Sequence, residues 1–466
     1  MDQAHPQDDG LEQIEAMNAA LDLAWREQLH VEPSLTRALV SFQQSKHQTV
    51  YRWFKYKEAF SPALIEDLLR RYGVTSGTLL DPFAGSGTAL FAARGKGIRA
   101  EGIELLPIGL EIIAAKQRID TALAEPDLRR IADWARDKPW RTIETAQKLP
   151  ELRITQGAYT AADAHKMAQY RAAAAEESAA VRQVLEFALL CILESVSFTR
   201  KDGQYLRWDF RAERRQSARP FNKGVILPFD EAIAQKLIQI VGDLAQQNDA
   251  VVAPKRSAPL HVHAGSCLKI LPTLAAGSYD AIVTSPPYCN RYDYTRTYAL
   301  ELALLGVDEE RLSALRQEML SCTVENRAKD LLQLSSQYAP ALAAADAQPA
   351  LQAILAYLSA QKATGKLNNK AIPRMVRGYF YEMACVISQC ARVLKPGAPL
   401  LMVNDNVRYC GASIPVDIIL STIAQELGFR VETILVLPGG KGNSSQQMGA
   451  HGRNALRKCV YVWRKA

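Results

Sequence analysis

Leu79-Leu80-Asp81-Pro82-Phe83-Ala84-Gly85-Ser86-Gly87-Thr88 is the stretch on which the reading of the fold turns. The short apolar run Thr78, Leu79, Leu80 predicts a buried strand, Asp81 to Thr88 a glycine-rich turn, and Ala89 to Arg94 a helix. A second strand, Ile98 to Ile103, completes a βαβ unit. Gly85 and Gly87 let a ligand approach the backbone closely. Glu104 ends the second strand 19 residues after Gly85, where a carboxylate takes both hydroxyls of a ribose. A dinucleotide site asks for a third glycine in G-x-G-x-x-G, and here that position is Leu90. Pyrophosphate binding is disfavoured, and a nucleoside cofactor is expected instead.

Outward from this unit, strand character returns at Leu260 to Ala264 and Tyr279 to Val283. The chain then reads as a helix (Tyr379 to Leu394), a Lys-Pro-Gly turn, a strand (Pro399 to Val403), a helix (Pro415 to Leu427) and strands at Arg430 to Leu437 and Lys458 to Trp463. Strands alternating with helices predict an α/β fold with a doubly wound, mostly parallel sheet, its last adjacent pair a candidate for antiparallel pairing. Leu11, Ile14, Met17, Leu21 and Trp25 recur at helical spacing and predict a helical extension over residues 1–45. Residues 46–120, 256–306 and 376–466 form the expected core domain, interrupted by helical insertions at 121–255 and 307–375.

The composition of the 466 residues, 48% hydrophobic and 23% charged, is that of a globular protein. No stretch approaches ~20 uninterrupted apolar residues, so a membrane span is not expected. The opening MDQAHPQDDG is acidic, without the basic and apolar regions of a secretory or transit peptide, and a cytoplasmic location follows as the expectation. Eight cysteines stand singly, and His261 and His263 share a strand face without a third ligand, so no metal is expected. The net charge of +7 suits a polyanionic partner but decides nothing alone.

The second informative stretch is Asp280-Ala281-Ile282-Val283-Thr284-Ser285-Pro286-Pro287-Tyr288. Two consecutive prolines cannot continue a ladder, so they make a stiff corner at the carboxyl end of a strand, where open α/β sheets place ligands. With both motifs in this order, the chain resembles the S-adenosylmethionine-dependent amino-methyltransferases of DNA, whose motifs read D-P-F-x-G-S-G-T and S/D/N-P-P-Y/F. The resemblance implies a Rossmann-like class I methyltransferase fold and catalysis by Ser285, Pro286, Pro287 and Tyr288. It further implies a cofactor site of Phe60, Ser61, Asp81, Phe83, Ala84, Gly85, Gly87, Thr88, Glu104, Leu105, Ser266 and Cys267. Ser266 stands where the family often has an acid, which removes the usual contact to the adenine amino group and leaves a hydroxyl. Serine at the first catalytic position implies N4 of a flipped-out cytosine in double-stranded DNA. Adenine N6, an RNA substrate and a catalytically silent nucleic-acid-binding module remain open alternatives. A separate cognate restriction endonuclease is a further implied partner.

Residues 198–223 hold eight basic side chains against three acids, interleaved with Tyr205, Trp208 and Phe210, a pattern suited to phosphate contacts and base stacking. Arg200, Lys201, Arg207, Arg211, Arg214 and Arg215 are candidate DNA contacts. After the catalytic corner, Asn290 to Arg296 is a candidate for holding the flipped nucleotide, with Arg291 as its DNA contact. The polar loop Lys441 to Arg457 adds Lys441 and Arg453.

Overall fold

The computed structural model describes residues 8–202, 206–214, 220–249, 258–439 and 456–466. In chain order its strands are β1 (Leu29–Val31), β2 (Thr78–Asp81), β3 (Arg99–Glu104), β4 (Thr199–Lys201), β5 (Leu206–Trp208), β6 (Leu260–Ala264), β7 (Ala281–Thr284), β8 (Pro399–Asp405), β9 (Val407–Tyr409), β10 (Ala412–Ile414), β11 (Phe429–Val436) and β12 (Lys458–Lys465). Eight of them form one sheet in the order β1-β11-β12-β8-β7-β2-β3-β6, and β4–β5 and β9–β10 are separate hairpins. All pairs in the large sheet are parallel except those of β12, which runs antiparallel to both β11 and β8. The fold is the expected Rossmann-like, mostly parallel α/β architecture.

The central strands are apolar along most of their length because both faces of the sheet are covered. Leu79, Ala281, Val283, Leu401, Val403, Val460 and Val462 face one core with Leu64, Leu68, Leu90 and Ala93. Their alternates Leu80, Ile282, Leu400, Met402, Tyr461 and Trp463 face the other, against the helices Ile372–Val393 and Val416–Glu426. This period-two division is the side-chain alternation of a strand. A third apolar cluster joins the helices Pro107–Ala122, Glu125–Asp137, Ala161–Ala175, Ala179–Val196 and Phe229–Asp249 to Trp53, Phe54 and Tyr298.

Two expectations change. The N-terminal segment is not helical throughout: after the helix Asp8–Ala24 it adds β1 as a parallel edge strand, with Leu29 opposite Ile434. Three residues are too short to carry a periodic signal. Second, the helices Leu331–Leu334, Ala339–Asp346 and Pro349–Ala363 bury Leu331, Ala341, Leu351 and Leu358 in the same core as the sheet.

Candidate active site

From β2 the chain proceeds to β3 and β6 on one side of the sheet, and from β7 to β8 on the other. The strand order therefore reverses between β2 and β7, and the carboxyl ends of these strands open a crevice at the switch point. A cavity of about 500 Å³ lies there, with Asp81, Gly85, Glu104, Ser285 and Tyr288 in its wall. Asp81 Oδ1 accepts hydrogen bonds from the Thr284 hydroxyl at 2.7 Å and the Phe83 N–H at 3.0 Å, which ties the two motifs together. Burial pushes its carboxyl up to about 7. Glu104 accepts from the Gly85 N–H through Oε2 and from the Leu106 N–H through Oε1, each at 2.7 Å. Burial pushes this carboxyl, too, up to about 7. Gly85 has φ +55°, and a Cβ there would stand 3.2 Å from the Tyr56 ring, so only glycine leaves the turn open.

Phe60, Phe83, Ala84, Thr88, Leu105, Ser266 and Cys267 also line the cavity. An apolar wall with two buried carboxylates and a glycine turn suits a nucleoside that carries both ribose hydroxyls and a positive charge. Two predicted contacts lie outside the cavity wall. Ser61 is fully buried as the N-cap of the helix Pro62–Arg71, accepting from the Leu64 N–H at 3.2 Å. Gly87, at φ +78°, precedes the helix Thr88–Gly95, and a Cβ would meet Ile113 at 2.9 Å, so its glycine serves packing. Ser266 donates to the Glu318 carbonyl at 2.9 Å, which leaves its oxygen lone pairs as acceptors. Burial pushes the Cys267 thiol up to about 12, so it stands as neutral wall.

At the catalytic corner Ser285 Oγ donates to the Tyr288 hydroxyl at 3.2 Å. Asn290, Tyr292 and Tyr294 continue the wall, with the rings of Tyr292 and Tyr294 4.8 Å apart. Glu58 accepts from the hydroxyls of both Tyr292 and Tyr298 and, with Tyr56, also borders the cavity. Asp405 and Lys458 also border the cavity and were missed in the sequence. Asp405 ends a parallel strand beside β7, a position that could have flagged it. Lys458 gives no such signal, because only the antiparallel register of β12 on β8 brings it opposite Asp405.

Two curated relatives span nearly the whole chain. Type II methyltransferase M.AvaI, from Nostoc sp. strain PCC 7120 and from Anabaena variabilis, is 53% identical over 461 residues, 98% of this chain and 95% of its own. Type II methyltransferase M.BsoBI from Geobacillus stearothermophilus is 39% identical over 456 residues, 93% of this chain and 89% of its own. This chain belongs to the type II DNA methyltransferases. Its methyl donor is S-adenosylmethionine. No protein-family model matches the chain. Among solved structures, the rRNA methyltransferase aviRa from Streptomyces viridochromogenes is 10% identical, with a TM-score of 0.28 over 87% of this chain and 85% of that one.

In this methyltransferase the β4–β5 hairpin carries the predicted basic face. Arg200 and Arg207 are direct cross-strand partners, and both guanidinium groups lie against the Phe221 ring, at 6.0 and 4.1 Å from its centroid. Arg214 lies 4.4 Å over Trp208 and donates to the Ile154 carbonyl at 3.0 Å. Phe210 is half exposed beside Arg211. One assignment is corrected. Lys201 is buried, paired at 2.5 Å with the buried Glu301 and packed on Phe54 and Tyr298, so it holds the hairpin to the core and is not free to meet a phosphate. Arg211 is clamped on Asp209 at 2.6 Å, which pulls that carboxyl well below its ordinary range. Arg291, with φ +65°, donates to Asn368 at 3.4 Å and is absent from the cavity wall. Tyr205, Arg215, Lys441 and Arg453 lie outside the described residues.

Proposed function

We propose that this methyltransferase acts on the exocyclic N4 amino group of a flipped-out cytosine in double-stranded DNA. The observation that carries the reading is the Ser-Pro-Pro-Tyr corner, whose Ser285 follows the strand joined to the cofactor motif by the Thr284–Asp81 hydrogen bond. An exocyclic amino nitrogen is a poor nucleophile because its lone pair is delocalised into the ring. Acceptors aimed at its N–H groups localise that pair. In this reading Ser285 Oγ and the Pro286 carbonyl are those acceptors, the two prolines keep them rigid, and Tyr288 meets the ring. The bound cofactor supplies an electrophilic methyl group on a sulfonium. Flipping costs a few kcal/mol. Stacking on an aromatic ring returns roughly 1–3 kcal/mol of it.

Lys201, the last residue of β4, and Asp202 after it border the same cavity, so in this reading DNA held on Arg200, Arg207 and Arg214 runs past its mouth. A duplex binder with this chemistry marks sites that a separate cognate endonuclease would otherwise cut. Incubation with unmethylated genomic DNA and labelled cofactor, followed by nucleoside mass spectrometry, tests the reading. N4-methyldeoxycytidine is the expected product. N6-methyldeoxyadenosine would overturn the base assignment, and an absence of any DNA product would overturn the substrate.

A further inference from the structure

A serine hydroxyl carries one proton and two lone pairs, and it accepts from a substrate N–H only if its own proton points elsewhere. At the corner that proton goes to the Tyr288 oxygen, 3.2 Å away. Lys458 stands beside this tyrosine, its Nζ 5.3 Å from the ring centroid, within reach of the phenol's lone pairs. An ammonium has donors only, so it turns the phenol's lone pairs toward itself and the phenol's proton away. Lys458 is fixed by Asp405, its direct cross-strand partner, across an ion pair of 3.3 Å.

Burial alone would lower the Lys458 ammonium, but the carboxylate of Asp405 beside it raises it well above its ordinary value. It is therefore a permanent cation at neutral pH. All four side chains border the one cavity.

We propose that Lys458, anchored by Asp405, is a positioning residue for methyl transfer, setting through the Tyr288 hydroxyl the direction of the Ser285 proton and hence the acceptor geometry that the target amino group meets. The proposal rests on the role of Ser285 given above. It assigns the Tyr288 hydroxyl a task separate from that of its ring.

Single-turnover methyl transfer to unmethylated genomic DNA, with cofactor affinity measured alongside, tests it in the full-length protein. Lys458→Met is expected to slow transfer at least tenfold with cofactor affinity unchanged, and Lys458→Arg to restore most of the rate. Tyr288→Phe, which keeps the ring, is expected to slow transfer similarly. The double variant Lys458→Met/Tyr288→Phe is expected to be no slower than the slower single one, because both remove the same link. A wild-type rate in Lys458→Met, or losses that multiply in the double variant, would overturn the proposal. Should Lys458→Met lose cofactor binding, Tyr288→Phe decides, and a wild-type rate in it is the overturning result. A methylated base other than cytosine would overturn the function proposed above and leave this comparison intact, since rates are compared on whichever base is modified.

Discussion

The cofactor crevice and the β4–β5 hairpin handle charge in opposite ways. In the crevice Asp81 and Glu104 are buried, at 1% and 8% exposure, and each is held by hydrogen bonds from groups a few residues away or on an adjacent strand. On the hairpin, Arg200 and Arg207 stand directly opposite one another, an arrangement of like charges that is unfavourable by itself. Phe221 offsets part of that repulsion by lying beneath both guanidinium groups. The crevice is thus shaped before its ligand arrives, by short-range hydrogen bonds. The hairpin keeps a concentration of positive charge, with Arg207 only loosely paired to Asp202 at 3.9 Å, of the kind that a phosphodiester backbone neutralises.

The largest expected effect falls in the crevice. Ser285→Ala should lower turnover roughly hundredfold to thousandfold, the range seen when one preorganised transition-state hydrogen bond is removed. Calorimetry should find cofactor affinity within about twofold of wild type; turnover near wild type would show that the corner is not the catalytic centre. Glu104→Gln should weaken cofactor binding roughly tenfold to a hundredfold, as expected when a charged hydrogen-bond acceptor is replaced by a neutral one.

The same carboxylate makes binding depend on pH. With its folded value raised to about 7, Glu104, like Asp81, contributes stability that is present in full at low pH, below its unfolded value, and is lost as pH rises through about 7. A cationic cofactor with ribose donors favours the ionised form, so affinity should climb between about pH 6 and 8 with proton release. Titrations in buffers of different ionisation enthalpy would read that proton, and an identical slope in Glu104→Gln would assign it to another group.

Effects on the hairpin should be gentler and of another kind. Replacing Arg200 and Arg207 together by Ala should reduce the dependence of DNA affinity on salt by a slope of up to about 2, one for each phosphate that the variant no longer neutralises. Cofactor affinity and folding should be unchanged. An unaltered slope in filter-binding or fluorescence titrations would make the arginine pair a surface feature without a role in DNA binding. The smallest effect belongs to Ser61→Ala, which should cost about 1 kcal/mol of stability by removing the helix cap. Its cofactor affinity should match wild type in the same calorimetric assay, and a marked fall would return Ser61 to the ligand site.

The amino-acid sequence by itself determined the parts whose physics is local. The apolar run at Leu79–Leu80, the turn at Gly85, Glu104 at the next strand end and the double proline after Thr284 each declare a backbone geometry through their immediate neighbours. The sheet, its order of elements and the two motifs were legible for that reason. Ser61 and Gly87 stand outside the cavity wall, and their neighbours in the chain carry no sign of it, because a cap and a packing contact leave the same residues in the same places as a ligand site would.

Only the tertiary structure decided what depends on distant partners. Lys201 reads as one more cation in a basic stretch until Glu301, a hundred residues away, appears against it in the core. β1 is too short to announce itself and exists because β11 offers it an edge. Lys458 reaches the active site because β12 enters the sheet antiparallel, which sets its first residue against the last residue of β8. Register and burial are properties of pairs of segments, and the sequence of either segment alone does not contain them.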